Sequence, residues 1–277
     1  MTTSCSRRNV GLYGLRVEGF DDPALNTGVP KTWAPLEVHT LIADCADDAP
    51  IDVDDDSATM GMPGIGEIRV TREPASVLVR SRRPVDGDIL IHPALGWAAW
   101  VIACWNGKSV LHGAAFVGEN GAWVVLGERG AGKSTLMAAL AQRGVAVLAD
   151  DITVIDGGCV FAGPRRIDLR PDAAGRLGLK DTGLIRGKSR RGLPLTPVES
   201  TVPLSGFVRL RWGEEVSTTP VPPFDRIRAL DKLVGSSVSK PSSVLDIVSL
   251  PMTGLVRPRS WTAIEASADA ILSEVAE

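Results

Sequence analysis

The stretch Gly127-Glu128-Arg129-Gly130-Ala131-Gly132-Lys133-Ser134 constrains this chain more than any other. It fits the pattern G-x-x-x-x-G-K-[ST], a loop whose backbone N–H groups curl around phosphate oxygens. Such a loop works only between a strand and a helix, because the helix N-terminus adds the positive end of its dipole. Both flanks agree. Residues 123–126 (WVVL) read as a buried strand. Residues 134–143 (STLMAALAQR) are rich in strong helix formers and are stopped by Gly144. In that frame Lys133 reaches the β- and γ-phosphates and the Ser134 hydroxyl ligates Mg²⁺, with Thr135 beside it at the helix start. The pattern implies a nucleotide-phosphate site.

An acidic pair narrows the chemistry. Residues 145–149 (VAVLA) form a short apolar run of buried-strand type that ends on Asp150-Asp151. The strand after the phosphate-loop helix would therefore deliver two carboxylates to the end of the sheet where open α/β folds bind ligands. Phosphoryl transfer to a hydroxyl needs one acid to hold Mg²⁺ and another to orient or deprotonate the acceptor. Adjacent strand residues point to opposite sides, so the two acids are expected to divide these roles. Asp150 is assigned to the metal with Ser134, and Asp151 to the base.

Together with Leu111-His112-Gly113-Ala114-Ala115, the glycine loop and Leu148-Ala149-Asp150-Asp151-Ile152-Thr153-Val154 resemble the core of the HPr kinase family, in the group that also holds phosphoenolpyruvate carboxykinase. The likeness is strongest to compact HPr-kinase-like proteins such as lasso-peptide precursor kinases, and covers about residues 93–277. It implies an α/β fold with a P-loop kinase core of that type. It implies transfer of the γ-phosphate of ATP, with Mg²⁺, to a serine- or threonine-type hydroxyl of a protein or peptide, with a ribosomally made precursor peptide the favoured acceptor. It also implies catalytic roles for His112, Lys133, Asp150 and Asp151, and nucleotide contacts from Gly127, Glu128, Arg129, Gly130, Ala131, Gly132, Lys133, Ser134 and Thr135. A small-molecule kinase, or a nucleotide-binding regulatory or peptide-carrier protein without transfer activity, are the alternatives. The family's Glu-x-Arg-Gly signature has only Leu184-Ile185-Arg186-Gly187 in its place, which points away from phosphorolysis and from HPr as substrate.

Composition excludes several classes. A chain of 277 residues with 44% hydrophobic residues can bury a substantial core. A net charge of −3 and a pI of about 5.7 argue against a nucleic-acid surface. No signal-type segment opens the sequence, and the longest apolar run, residues 94–105 (ALGWAAWVIACW), is too short for a bilayer and reads as a buried helix. Cys5, Cys45, Cys104 and Cys159 form no C-x-x-C pair and fit free thiols in a reducing cytoplasm. Cytoplasmic location with no membrane or nucleic-acid partner is the expectation, and a homo-oligomer is compatible with it.

Residues 1–92 read as a separate small β-rich domain ahead of the 93–277 kinase domain. Strand candidates there are 11–17, 34–43, 66–70 and 75–80. The acidic stretch 44–56 reads as a solvated loop, and His39 and His92 receive no role. Asn120-Gly121 signals a hairpin joining 110–117 to 123–126, which would carry His112 to the loop. The cationic run from Arg165 to Arg191 fits either a lid or a basic surface loop, with residues 183–192 as its hinge-bearing part. Helices are expected over 225–233 and 261–275, the latter capped by Ser260.

Overall fold

The computed structural model describes residues 9–179, 183–185, 190–231 and 248–276. Among the described residues it is a mixed α/β structure with three sheets. The N-terminal sheet has eight strands in the order Asn26–Thr27, Val10–Leu12, Leu15–Glu18, Ala34–Ile42, Ser76–Ser81, Gly66–Thr71, Ser57–Met62 and Asp52–Val53. Its first two chain-order strands turn through Tyr13 and Gly14, both at positive φ (54° and 83°), the backbone that a tight hairpin demands. Gly66–Thr71 and Ser76–Ser81 bury alternate residues, as half-buried strands should. Ser57–Met62 was not foreseen, since its small residues give little strand signal.

A helical stretch, Gly87–Trp105, leads out of this sheet. It is kinked where His92 leaves helical geometry (φ −150°, ψ 120°), and its second half, Gly96–Trp105, is a buried α-helix. At 19 residues it has the length and hydropathy of a bilayer span, longer than the sequence run suggested because 87–93 add helical turns. Most of it is packed inside the protein, where Ala98, Ala99 and Ile102 join the core.

The second sheet has nine strands. Its parallel centre is Gly121–Leu126, Thr201–Trp212 and Met252–Arg257, whose carboxyl ends emerge on one side. Successive residues of Gly121–Leu126 serve different layers. Ala122, Val124 and Leu126 face a core shared with Gly96–Trp105 and the N-terminal sheet. Trp123 and Val125 face a second core, under the helices Lys133–Gln142 and Ala263–Val275. That alternation explains why the strand is apolar throughout. A three-stranded sheet, Arg166–Leu169, Arg190–Pro194 and Leu184–Ile185, completes the fold.

The first core runs without a break across residue 92, from Leu36, Ile68 and Val77 to Val124, Leu148 and Phe207. Backbone bonds also tie the N-terminal sheet to the later chain: Tyr13 N–H donates to Ala162 O at 2.8 Å and Arg165 N–H to Ala24 O at 2.7 Å. The C-terminal helix begins at Ala263 rather than 261, and Ser260 is not its cap. Ser260 Oγ instead accepts from Thr262 N–H at 3.3 Å, closing a short turn before the helix.

Candidate active site

The 127–132 segment joins Gly121–Leu126 to Lys133–Gln142, so the glycine pattern lies between strand and helix. Gly130 and Gly132 take positive φ (86° and 83°), which lets the loop fold back on itself. At Gly132 space also matters: a Cβ there would stand 2.4 Å from the Arg257 guanidinium. That buried guanidinium donates to Ala131 O at 2.7 Å and Gly132 O at 3.3 Å, pinning the loop from beneath. Lys133 is also buried, and its Nζ donates to Gly127 O at 2.8 Å and Glu128 O at 3.4 Å.

Across the cavity two strands are interrupted side by side. Ser109–Leu111 and Gly113–Gly118 were expected as one strand; the chain bends at His112 and changes partners. Ser109–Leu111 pairs with Thr153–Asp156, while Gly113–Gly118 pairs with Val147–Ala149 and Gly121–Leu126. The facing chain breaks at the same level, between Val147–Ala149 and Thr153–Asp156. His112 sits in one break and Asp150-Asp151 in the other.

Asp150 and Asp151 are therefore not consecutive strand residues pointing to opposite faces. Asp151 is at φ 73°, unusual for a non-glycine residue, in a turn closed by Ile152 N–H donating to Asp150 O at 3.0 Å. The turn separates the two carboxylates by conformation rather than by pleat. Asp151 stays partly exposed, with His112 Nδ1 3.4 Å from Oδ1 and His92 Nε2 3.5 Å from Oδ2. Asp150 lies deeper, bonded to the Ser134 hydroxyl, and its Oδ1 is buried without a hydrogen-bond partner.

Burial, and then the charge of Asp151, push the Asp150 carboxyl up from 3.8 to about 7. Burial also lowers Lys133, against the pull of Asp151 and Asp150. His112 is lowered by burial and by Lys133, with Asp151 acting in the opposite direction. Tyr13 of the N-terminal hairpin is held well above its ordinary value by burial and by the two acids. These groups perturb one another's ionisation, and perturbed acids and bases of this kind accompany function.

His92 was assigned no role on sequence, yet it lines the same cavity as Lys133 and meets Asp151. A lone histidine ahead of an apolar helix carries no local sign of this. His39 pairs with Glu37 on an exposed surface, 3.2 Å away. The cationic run divides. Arg165 is 5% exposed and donates to carbonyls of Val147, Gly163 and Thr196, so it holds chain rather than ligand. Arg166 is tied to Asp168 at 2.8 Å. Arg170 and Arg190 line the cavity. Arg186 and Lys188, and the middle of the expected lid, lie outside the described residues.

The cavity has a volume of about 820 Å³ and is bounded by the loop, the acids, both histidines and a wall that includes Trp212 and Trp261. The Ser134 hydroxyl and the Asp150 carboxyl are hard oxygen donors, the kind Mg²⁺ prefers. The unpartnered Asp150 Oδ1 fits them for a cation. No group of three or more His, Cys, Asp or Glu residues suited to a metal occurs among the described residues. A cation held here would thus need oxygens from its ligand or from water.

No protein-family model matches this chain, and no curated protein matches it in sequence. Among solved structures it is similar to the Hpr(Ser) kinase/phosphatase from Coxiella burnetii. That likeness has a TM-score of 0.34 at 11% identity, over 60% of this chain and 96% of that one. So distant a likeness carries no functional argument.

Proposed function

We propose that this chain is an ATP-dependent kinase that transfers the γ-phosphate to a serine- or threonine-type hydroxyl of a protein or peptide, with a ribosomally made precursor peptide the favoured acceptor. One observation carries the reading: Asp150 and Asp151 face Lys133 and Ser134 of a glycine-rich strand–loop–helix turn within one cavity. The motif resemblance read from the sequence points the same way. In this reading the 127–134 backbone and the positive end of Lys133–Gln142 hold the phosphates. Lys133 leaves its own loop carbonyls to neutralise the β- and γ-phosphates. Ser134 and Asp150 would hold Mg²⁺, which would supply charge neutralisation and alignment of the phosphates.

Asp151 takes the proton of the acceptor hydroxyl as the new O–P bond forms and the bond to the β-phosphate oxygen breaks, with ADP leaving. His112 and His92 hold that carboxylate from its two oxygens, which fixes its direction toward the acceptor. Arg170 and Arg190 supply positive charge at the cavity wall, where equatorial phosphoryl oxygens gain charge in the transition state. The test is transfer of label from γ-labelled ATP with Mg²⁺ to serine-containing precursor peptides. Lys133→Ala is expected to abolish most turnover while the protein keeps its unfolding midpoint. A folded Lys133→Ala protein with undiminished transfer would remove this reading of the loop.

A further inference from the structure

The lining of the cavity that holds the acids also includes two indoles, Trp212 and Trp261. Trp212 and Trp261 are 43% and 40% exposed, large for indoles in a folded chain. Single exposed apolar residues need no explanation. Two indoles bordering one polar cavity, with Ile264 also on its lining, form a different kind of surface.

Trp212 is fixed by topology. It ends Thr201–Trp212, the strand parallel to the one that feeds the phosphate loop, so both finish at the same side of the sheet. It pairs with Arg257 across the sheet, and the Arg257 guanidinium lies 5.0 Å from the indole centroid. The same guanidinium is bonded to Ala131 O and Gly132 O. A single buried cation thus ties the indole to the loop, and the indole lies 3.7 Å from where a Cβ of Gly132 would stand. Arg259 adds a second guanidinium 5.9 Å from the same ring. Trp261 follows from the turn before Ala263–Val275.

We infer that Trp212 and Trp261 form a nucleobase subsite, in which the base of a nucleoside triphosphate stacks on indole beside the cradle that holds its phosphates. A flat, weakly hydrated ring suits this wall because every base has a π-face to offer, and stacking requires no particular edge. The placement also sorts the two substrates. The base end lies at the Trp212–Arg257 wall, and the acceptor end lies at His92, His112 and Asp151. The inference rests on the proposed reading of the 127–134 loop as a phosphate site, and deepens it.

The test compares Mg-ATP with Mg-tripolyphosphate, which offers the same phosphates and no base. Binding of each is measured by calorimetry on the full chain, in the wild type and in Trp212→Ala, Trp212→Phe and Trp261→Ala, with thermal unfolding as the control for folding. The wild type is expected to prefer ATP. Trp212→Ala should lose roughly five- to a hundred-fold in ATP affinity, with Trp212→Phe keeping most of it and tripolyphosphate binding little changed. Trp261→Ala should show a smaller loss of the same selective kind. Equal losses for both ligands would mean that Trp212 only props Arg257 against the loop, and would overturn the subsite. No loss for either ligand overturns it too. A wild type that binds tripolyphosphate as well as ATP overturns the subsite alone, whereas one that binds neither overturns the kinase reading with it.

Discussion

In the N-terminal sheet, Gly66–Thr71 and Ser76–Ser81 run unbroken and alternate inward and outward residues. In the second sheet, the two chains nearest the cavity stop and restart in mid-course, at His112 and at Asp150-Asp151. The contrast teaches where chemistry can be housed. A continuous ladder commits every side chain to one of two faces and every backbone group to a neighbour. An interruption frees side chains from that alternation and lets them converge on a point beyond the strand ends. The N-terminal sheet contributes burial to the candidate site, through Tyr13 and the shared core, and the second sheet contributes the candidate reacting groups.

The largest expected effect lies at the interruption itself. Asp151→Asn should lower turnover about a hundred- to ten-thousandfold, as loss of a general base does, with Mg-nucleotide affinity nearly kept. Asp150→Asn should weaken Mg²⁺-dependent nucleotide binding as well. Calorimetry beside a turnover assay separates them, and a pure turnover defect in Asp150→Asn would exchange their roles.

Next comes a contrast between two arginines. Arg165→Met removes a buried cation bonded to the Val147 and Thr196 carbonyls, and should cost about 3 kcal/mol or more in denaturant unfolding. Arg82→Met breaks an exposed pair with Asp44, 2.7 Å apart, and should leave the midpoint where it was. Equal effects would erase the distinction between a surface charge and one that ties the later chain to the site.

The third effect is one of pH. The folded state favours the protonated Asp150, raised from 3.8 to about 7. Its contribution to stability is therefore complete below 3.8 and is lost as pH rises through about 7. Without metal, the thermal midpoint of the wild type should fall relative to Asp150→Asn as pH rises over that window. Parallel curves for the two proteins would show that Asp150 is not held protonated.

The smallest effect separates two histidines. His92→Gln should lower turnover roughly tenfold, less than loss of the base it orients, and should alter the pH dependence of turnover. His39→Gln should change neither. An unchanged rate and pH profile in His92→Gln would make its approach to Asp151 incidental.

These comparisons also show what could be read before the fold was known. The glycine loop and its flanks were legible because strand, turn and helix preference are local properties of adjacent residues. The hairpin at Asn120-Gly121 was legible for the same reason. His92 was not, because its partner Asp151 is distant in sequence and only the kink in the helical stretch aims it. Arg165 looked like part of a mobile cationic run, since a sequence does not display which arginine will be buried. The separation of Asp150 from Asp151 was expected from strand pleat; the left-handed turn that produces it depends on tertiary context.

The Lys133 ammonium has a wider consequence. Bonded to the carbonyls of Gly127 and Glu128, it makes the loop complementary to itself. In the proposed reading, a phosphate would displace an internal partner rather than enter a waiting site. The apparent affinity is the intrinsic one scaled by the fraction of molecules in which that latch is open. The same latch would close behind a departing nucleotide, so that weaker binding would be returned as faster exchange. On that reading the loop would act as a competitive inhibitor built from its own backbone, and variants that loosen the Lys133 contact without removing its charge would tighten nucleotide binding and slow release.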